Sequence, residues 1–257
     1  MNLIQSIIIS VVEGLTEFLP ISSTGHLILT ADLMQIFQSD FVKSFEIFIQ
    51  LGAIMAIIFL YWKRLVIDIN IWKKIIVAFI PTAIVGFSLY KLIKYYLLDN
   101  TQVVLISLFL GGIALIILES KYNKKNADVK TVKELTYKKA FIIGMFQSVS
   151  IIPGISRSAA TIFGGLLLGL ERELAVEFSF FLAIPTMVAA TGLDMVKSKF
   201  SYSEYQYLLL VLGFTVAFVT ALLAVKYFLN FIKKHSFIPF GVYRIILALV
   251  FWFVVLK

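Results

Sequence analysis

The chain has 257 residues, of which 60% are hydrophobic and only 15% charged, with mean hydropathy +0.96 and net charge +8. No soluble domain of this length has that composition, so the sequence reads as a polytopic membrane protein. It contains no cysteine, which excludes disulfides, thiolate metal sites and a cysteine nucleophile. The positive charge lies in lysines between apolar runs, so it reads as a topology signal and not as a nucleic-acid surface.

The first apolar region, Leu3–Met34, starts without a basic leader and is interrupted by Glu13 and Glu17, so no cleaved signal is expected. It breaks at Pro20-Ile21-Ser22-Ser23-Thr24-Gly25, leaving two halves each too short to cross a bilayer. A helix is expected to restart at Gly25 and run to Met34. Three spans follow, over about Phe45–Trp62, Ile75–Leu92 and Gln102–Leu118. A lysine-rich stretch at 119–139 separates them from a second broken region, Ala140–Leu170, cut at Pro153-Gly154. Three more spans are expected at Leu174–Val196, Tyr205–Leu229 and Ile238–Leu256. The fold class is therefore all-α: six transmembrane helices plus two re-entrant helical hairpins. Broken backbone at membrane depth is tolerated only inside protein or beside a wet cavity, so the breaks predict a polar cavity.

With this arrangement the loops at 63–74, 119–139, 170–173 and 226–236 share one side and carry fifteen lysines and arginines, against six on the other. The positive-inside rule places the richer side in the cytoplasm, so both termini and the first hairpin face outward. Asp194 and Arg244 fall near span ends and read as structural or snorkelling residues.

The two broken regions resemble each other. At a shift of 134 residues Glu13 meets Gln147, Ser22 meets Ser156 and Ser23 meets Arg157. Each half holds one hairpin and three spans, and an odd span number inverts the second copy. The chain is thus expected to form one membrane domain over residues 1–257, with halves at about 1–119 and 137–257 joined by the basic segment 120–136. Inverted repeats with broken helices place their site at the repeat interface.

Ionisable groups at membrane depth are functional candidates. Glu13 and Glu17, four residues apart, share a helix face. Their mutual repulsion would be relieved by a divalent metal or a basic partner. Ser22, Ser23 and Thr24 exceed the single hydroxyl that a helix cap requires, and a helix N-terminus also attracts phosphate. His26, one turn further on, is a candidate acid or base expected to be held by Glu17 or Glu13. In the second break, Pro153, Gly154, Ser156, Arg157 and Ser158 form a second helix start, with Arg157 suited either to clamp a diphosphate or to pair with Glu13, Glu17 or Glu46. Glu46, Gln50 and Glu177 are candidates for a supporting layer.

These residues make up two motifs, Glu13-x-x-x-Glu17 followed by Pro20-x-Ser22-Ser23-Thr24-Gly25-His26, and Pro153-Gly154-x-Ser156-Arg157-Ser158-x-x-Thr161. Over essentially its whole length the chain resembles the undecaprenyl-diphosphate phosphatase family of bacterial membranes, the bacitracin-resistance type. Ala159, where many members have Gly, is the one departure. The resemblance implies hydrolysis of undecaprenyl diphosphate to undecaprenyl phosphate and inorganic phosphate, which recycles a lipid carrier for peptidoglycan synthesis. It implies a divalent metal, usually Mg²⁺ with Ca²⁺ as the alternative, for which Glu13 and Glu17 are candidate ligands. It further implies Ser23 as nucleophile, with His26, Glu17 and Glu13 handling protons and Arg157 binding the diphosphate. Ser22, Thr24, Gly25, Gly154, Ser156, Ser158 and Thr161 are the accompanying substrate-binding candidates. Other expected partners are membrane lipids and a second copy of the chain. Direct attack by water, and metal-ligand against base roles for the glutamates, stay open. The rival reading is a lipid-carrier transporter, whose architecture also uses inverted repeats.

Overall fold

A computed structural model describes residues 1–96, 100–122, 127–197 and 202–255, with side chains omitted at 90–96, 194–197 and 254–255. Among the described residues the fold is all-helical. The elements are α1 (Leu3–Thr16), α2 (Ser23–Leu33), α3 (Asp40–Ile67), α4 (Ile69–Tyr96), α5 (Thr101–Lys121), α6 (Tyr137–Val149), α7 (Arg157–Leu167), α8 (Arg172–Lys197), α9 (Glu204–Lys234) and α10 (Ile238–Val255). α3, α4, α5, α8 and α9 are each long and apolar enough to cross a membrane. α10 is the shortest of the six predicted spans at 18 residues. Large apolar side chains such as Phe59, Phe87, Val211 and Leu223 stand exposed around the outside, as a lipid-facing surface requires.

A helix occurs at each of the six predicted spans, five of them of membrane-crossing length and apolarity, and most extend past their apolar stretches; the expected end of the last span at Leu256 lies outside the described residues. α3 starts at Asp40 because the Ser39 hydroxyl accepts from the Val42 N–H, and α5 starts at Thr101 because Asn100 accepts from Gln102 and Val103. The expected loop at 63–74 is reduced to a turn at Asp68, so Lys63, Arg64, Lys73 and Lys74 ride on helix ends. Arg64 pairs with Glu177 at 2.6 Å, which removes Glu177 from the supporting layer expected for it. The side chain of Asp194 lies outside the described residues.

Both breaks occur where the sequence places them, between α1 and α2 and between α6 and α7. The restart after the first is earlier than expected: α2 begins at Ser23, with Ser22 as its cap. Ser22 has φ 72° and Ser156 has φ 75°, both in the left-handed region that non-glycine residues rarely adopt. Each caps its helix by accepting from the N–H three residues on, Gly25 and Ala159 respectively. Ser23 and Arg157 thus occupy the same first helical position, 134 residues apart.

Packing crosses between the halves. α1 lies along α9, α6 lies along α4, and α5 packs on α10. Glycines permit these contacts. A Cβ added to Gly112 on α5 would meet the Gly241 carbonyl oxygen at 2.6 Å, and one on Gly241 would meet that of Gly112 at 2.7 Å. α4 and α8 each carry an internal proline, Pro81 and Pro185, immediately followed by Thr82 and Thr186. The described part of the basic segment folds onto the second hairpin: Asp128 and Val129 donate to the Gly169 carbonyl, and buried Lys74 donates to the carbonyls of Val132 and Lys133.

Candidate active site

The two breaks meet around one cavity of about 220 Å³. From the first break it is lined by Glu17, Ser22, Ser23 and Thr24, and from the second by Pro153, Gly154, Ser156 and Arg157. Gln50, Thr82 and Thr186 close it from α3, α4 and α8. The starts of α2 and α7 therefore both open on the same space, and each presents unpaired N–H groups and the positive end of a helix dipole.

At the centre of the cluster, Glu17 links the hairpins. One of its carboxylate oxygens accepts a short hydrogen bond from the Ser23 hydroxyl, and the other receives Arg157 Nη2 at 3.0 Å. Arg157 is further fixed by Nη1 donating to the Ser179 carbonyl at 2.9 Å and by Phe18, whose ring centre lies 5.7 Å from the guanidinium carbon. Groups separated by 140 positions in the chain thus form a near-dry ion pair, with side-chain exposures of 11% for Arg157 and 6% for Glu17. This is one of the pairings open to Arg157 from sequence. Among the described residues nothing else in the cavity links the two hairpins by opposite charges.

Glu13 lies behind this pair and does not reach the cavity wall. It is 0% exposed, and neither carboxylate oxygen has a hydrogen-bond partner among the described residues. Glu17, Glu46 and Arg157 are near enough to act on it electrostatically. Among the described residues no three His, Cys, Asp or Glu side chains gather as a ready-made metal cage. Each Glu17 oxygen accepts one hydrogen bond, from Ser23 or Arg157, and keeps a second lone pair on the cavity side, while Glu13 sits behind it. Hard divalent cations take such oxygens, and Mg²⁺ commonly uses one or two carboxylates with substrate phosphate and water. The donor set fits on those terms with Glu17 as the carboxylate at the cavity wall and Glu13 in support behind it.

Several expected placements are corrected. His26 is held neither by Glu17 nor by Glu13: its Nδ1 lies 2.7 Å from the Ser22 carbonyl and its Nε2 2.7 Å from the Tyr243 hydroxyl. Ser158 and Thr161 do not face the cavity, because their hydroxyls are used to join elements. Ser158 donates to the Phe18 carbonyl of the first break at 2.8 Å, and Thr161 pairs with Ser179 on α8 at 2.7 Å. Gly25 is buried against Val104 and Leu108 of α5 and gives its N–H to the Ser22 cap. Gly154, at φ 89°, does line the cavity, and a side chain there would collide with the α5 backbone at Val104. Glu46 accepts from the Gln38 amide at 3.4 Å and is not the partner of Arg157.

Three supporting features go beyond the sequence reading, which named Gln147 only as the counterpart of Glu13, Arg244 only as structural or snorkelling, and Tyr243 not at all. Gln147, the counterpart of Glu13, donates to Thr82 at 2.9 Å and Thr186 at 3.2 Å, so the two Pro-Thr pairs bracket the second hairpin. Arg244 is 0% exposed and does not snorkel. Its five N–H groups donate to the carbonyls of Pro20 in the first break, Gly154 and Ile155 in the second, and Ser107 and Leu108 in α5. Tyr243, its neighbour on α10, reaches His26. A charged residue in an apolar span and a proline-threonine pair within a helix were the available signals. No sequence signal tied Tyr243 to His26, 217 positions away.

Fold and site together define a multi-pass, all-helical integral membrane protein whose two interrupted helices assemble one polar cavity around a serine, a glutamate and an arginine. The sequence profile described as "Bacitracin resistance protein BacA" matches residues 6–250, and the chain belongs to that family. A protein named undecaprenyl-diphosphatase from Aquifex aeolicus is 56% identical over 247 residues, covering 96% of both chains. Proteins of the same name from a Sulfurihydrogenibium species and from Persephonella marina are each 51% identical, over 252 and 256 residues. The Sulfurihydrogenibium match covers 98% of this chain and 99% of the relative, and the Persephonella match covers all of both.

Proposed function

We propose that the chain dephosphorylates undecaprenyl diphosphate to undecaprenyl phosphate and inorganic phosphate, returning the lipid carrier to peptidoglycan synthesis and contributing to bacitracin resistance. The observation that carries the reading is the Ser23–Glu17–Arg157 linkage across the two breaks, which sets a hydroxyl, a proton acceptor and a phosphate-binding cation around one cavity.

In this reading the Ser23 oxygen attacks the terminal phosphorus while Glu17 accepts the hydroxyl proton. The bond from that phosphorus to the bridging oxygen breaks, and undecaprenyl phosphate leaves with the bridging oxygen. Arg157 and the N-termini of α2 and α7 neutralise charge on the oxygens of the group in transfer. Glu17 passes the Ser23 proton to the departing undecaprenyl phosphate; water then attacks the phosphoserine, gives a proton to Glu17, and Glu17 returns it to the leaving Ser23 oxygen, which releases inorganic phosphate with the Ser23 hydroxyl restored. A divalent cation, Mg²⁺ or Ca²⁺, would be held by Glu17 at the cavity wall with Glu13 behind it, and would supply charge neutralisation to the diphosphate. Ser22, Thr24, Gly154 and Ser156 line the space for phosphate oxygens.

The two halves form an inverted repeat within one membrane domain, and the shared left-handed caps at Ser22 and Ser156 support that arrangement. The lysine bias supports a cytoplasmic-membrane orientation with both termini and the cavity toward the outer side. The decisive experiment is phosphate release from undecaprenyl diphosphate by detergent-purified protein, with and without chelator, and with Ser23→Ala. Release that disappears in Ser23→Ala is expected. No release by the parent protein would favour the transporter reading, and undiminished release by Ser23→Ala would remove the serine from the chemistry.

A further inference from the structure

His26 stands one turn into α2, and both of its ring nitrogens are occupied. A carbonyl oxygen has no proton to give, so Nδ1 carries the proton of its 2.7 Å bond to Ser22. In the neutral ring Nε2 is then the acceptor, and the Tyr243 hydroxyl donates to it at 2.7 Å. Neither nitrogen is bonded to Ser23, whose hydroxyl donates to Glu17, and His26 is not part of the cavity wall.

What His26 does hold is the turn before Ser23. Ser22 sits at φ 72° and ψ 92°, a strained conformation for a residue with a side chain. Its carbonyl receives two N–H groups of His26, the backbone one at 3.2 Å and the ring one at 2.7 Å. The second hairpin is an internal control. Ser156 adopts nearly the same φ, and its carbonyl receives the backbone N–H of Ala160 at 3.0 Å, but no ring. Ala160 is the repeat counterpart of His26. The brace is thus present where the following residue is Ser23, a short side chain that only the backbone can aim. It is absent where the following residue is Arg157, whose long side chain is fixed independently by Ser179 and Glu17. α10 grips this turn twice, because Arg244 donates to the Pro20 carbonyl two residues before Ser22.

We infer that His26 is a positioning residue: the chain Tyr243–His26–Ser22 braces the left-handed turn that aims the Ser23 hydroxyl at Glu17, and Tyr243 is the outer member of that brace. This rests on the role given to Ser23 and Glu17 above.

The test combines spectroscopy with kinetics. The chain has two histidines, and His235 is exposed, so ¹⁵N-histidine labelling gives two readily separated sets of ring signals. In the parent protein with a neutral His26, Nδ1 is expected to be protonated and Nε2 bare, and Tyr243→Phe should shift the Nε2 signal while leaving His235 unmoved. An Nε2-protonated neutral ring in the parent would overturn the inference without reference to activity. For kinetics, His26→Asn keeps an N–H donor near the Nδ1 position and cannot act as an acid or base. It is expected to retain at least about a tenth of kcat with an unchanged shape of the pH–rate profile, whereas His26→Leu falls about tenfold further. Tyr243→Phe should lower kcat about three- to tenfold, and should have no added effect in the His26→Asn background. A His26→Asn protein as inactive as His26→Leu would make His26 a titrating catalyst and refute the brace. Failure of the underlying reading appears separately, as full turnover by Ser23→Ala with the histidine spectrum intact.

Discussion

Arg244 is the most informative single residue to perturb. It is fully buried and donates all five of its N–H groups to backbone carbonyls of three separate segments. Ser107 and Leu108 lie within α5 and keep their helical partners when Arg244 is removed. Pro20, Gly154 and Ile155 lie outside helices, and among the described residues no other N–H reaches their carbonyls. Arg244→Met would therefore leave three acceptors, two buried and one partly buried, without a donor. At about 1–3 kcal/mol for each, less what relaxation and water recover, the loss is roughly 3–6 kcal/mol. For a chain of this size that corresponds to a fall in apparent melting temperature of about 10 °C or more. Because the orphaned carbonyls belong to both breaks, turnover of the folded fraction should fall as well. Arg244→Lys can satisfy part of the set from a single nitrogen and should show about half the thermal shift. The measurement is thermal unfolding in detergent, followed by intrinsic fluorescence, alongside phosphate release normalised to folded protein. An Arg244→Met protein that melts within 2 °C of the parent, a margin far below the roughly 10 °C expected, and turns over normally would refute the reasoning.

Two further outcomes follow from the same geometry. Arg157→Lys replaces a fork that reaches Ser179 and Glu17 together with a point charge, so kcat/KM should fall about 10²–10³-fold with little change in melting temperature; steady-state phosphate release checks this, and a loss below threefold would contradict the placing of the guanidinium on the substrate. Gly52→Val would drive a Cβ into the α9 backbone at Phe214, costing about 1–3 kcal/mol or more and lowering the melting temperature; an unchanged melting curve would mean that α3 and α9 are less closely apposed than the structure has them.

The sequence by itself determined the class of fold and the location of the breaks. Hydrocarbon runs of span length, and their interruption at Pro20 and Pro153, follow from the cost of exposed backbone in lipid, which acts locally along the chain. The motifs likewise exposed Ser23, Glu17 and Arg157 as chemistry-bearing residues, since polar groups in apolar segments stand out whatever they touch. The 134-residue correspondence even paired Ser23 with Arg157, and both prove to be the first residue of a helix. Only the tertiary structure decided who touches whom. It gave the Ser23 hydroxyl to Glu17 and His26 to Ser22 and Tyr243. It turned Ser158 and Thr161 into ties between elements, and it buried Arg244 where a snorkelling residue was one of two expectations. These outcomes depend on contacts between residues up to 224 positions apart. A hydrogen-bonding group declares its capacity in the sequence, but its partner is chosen by packing. In this chain the choice rests on glycine-sized approaches between helices and on left-handed turns at two serines, neither of which leaves a periodic signal along the chain.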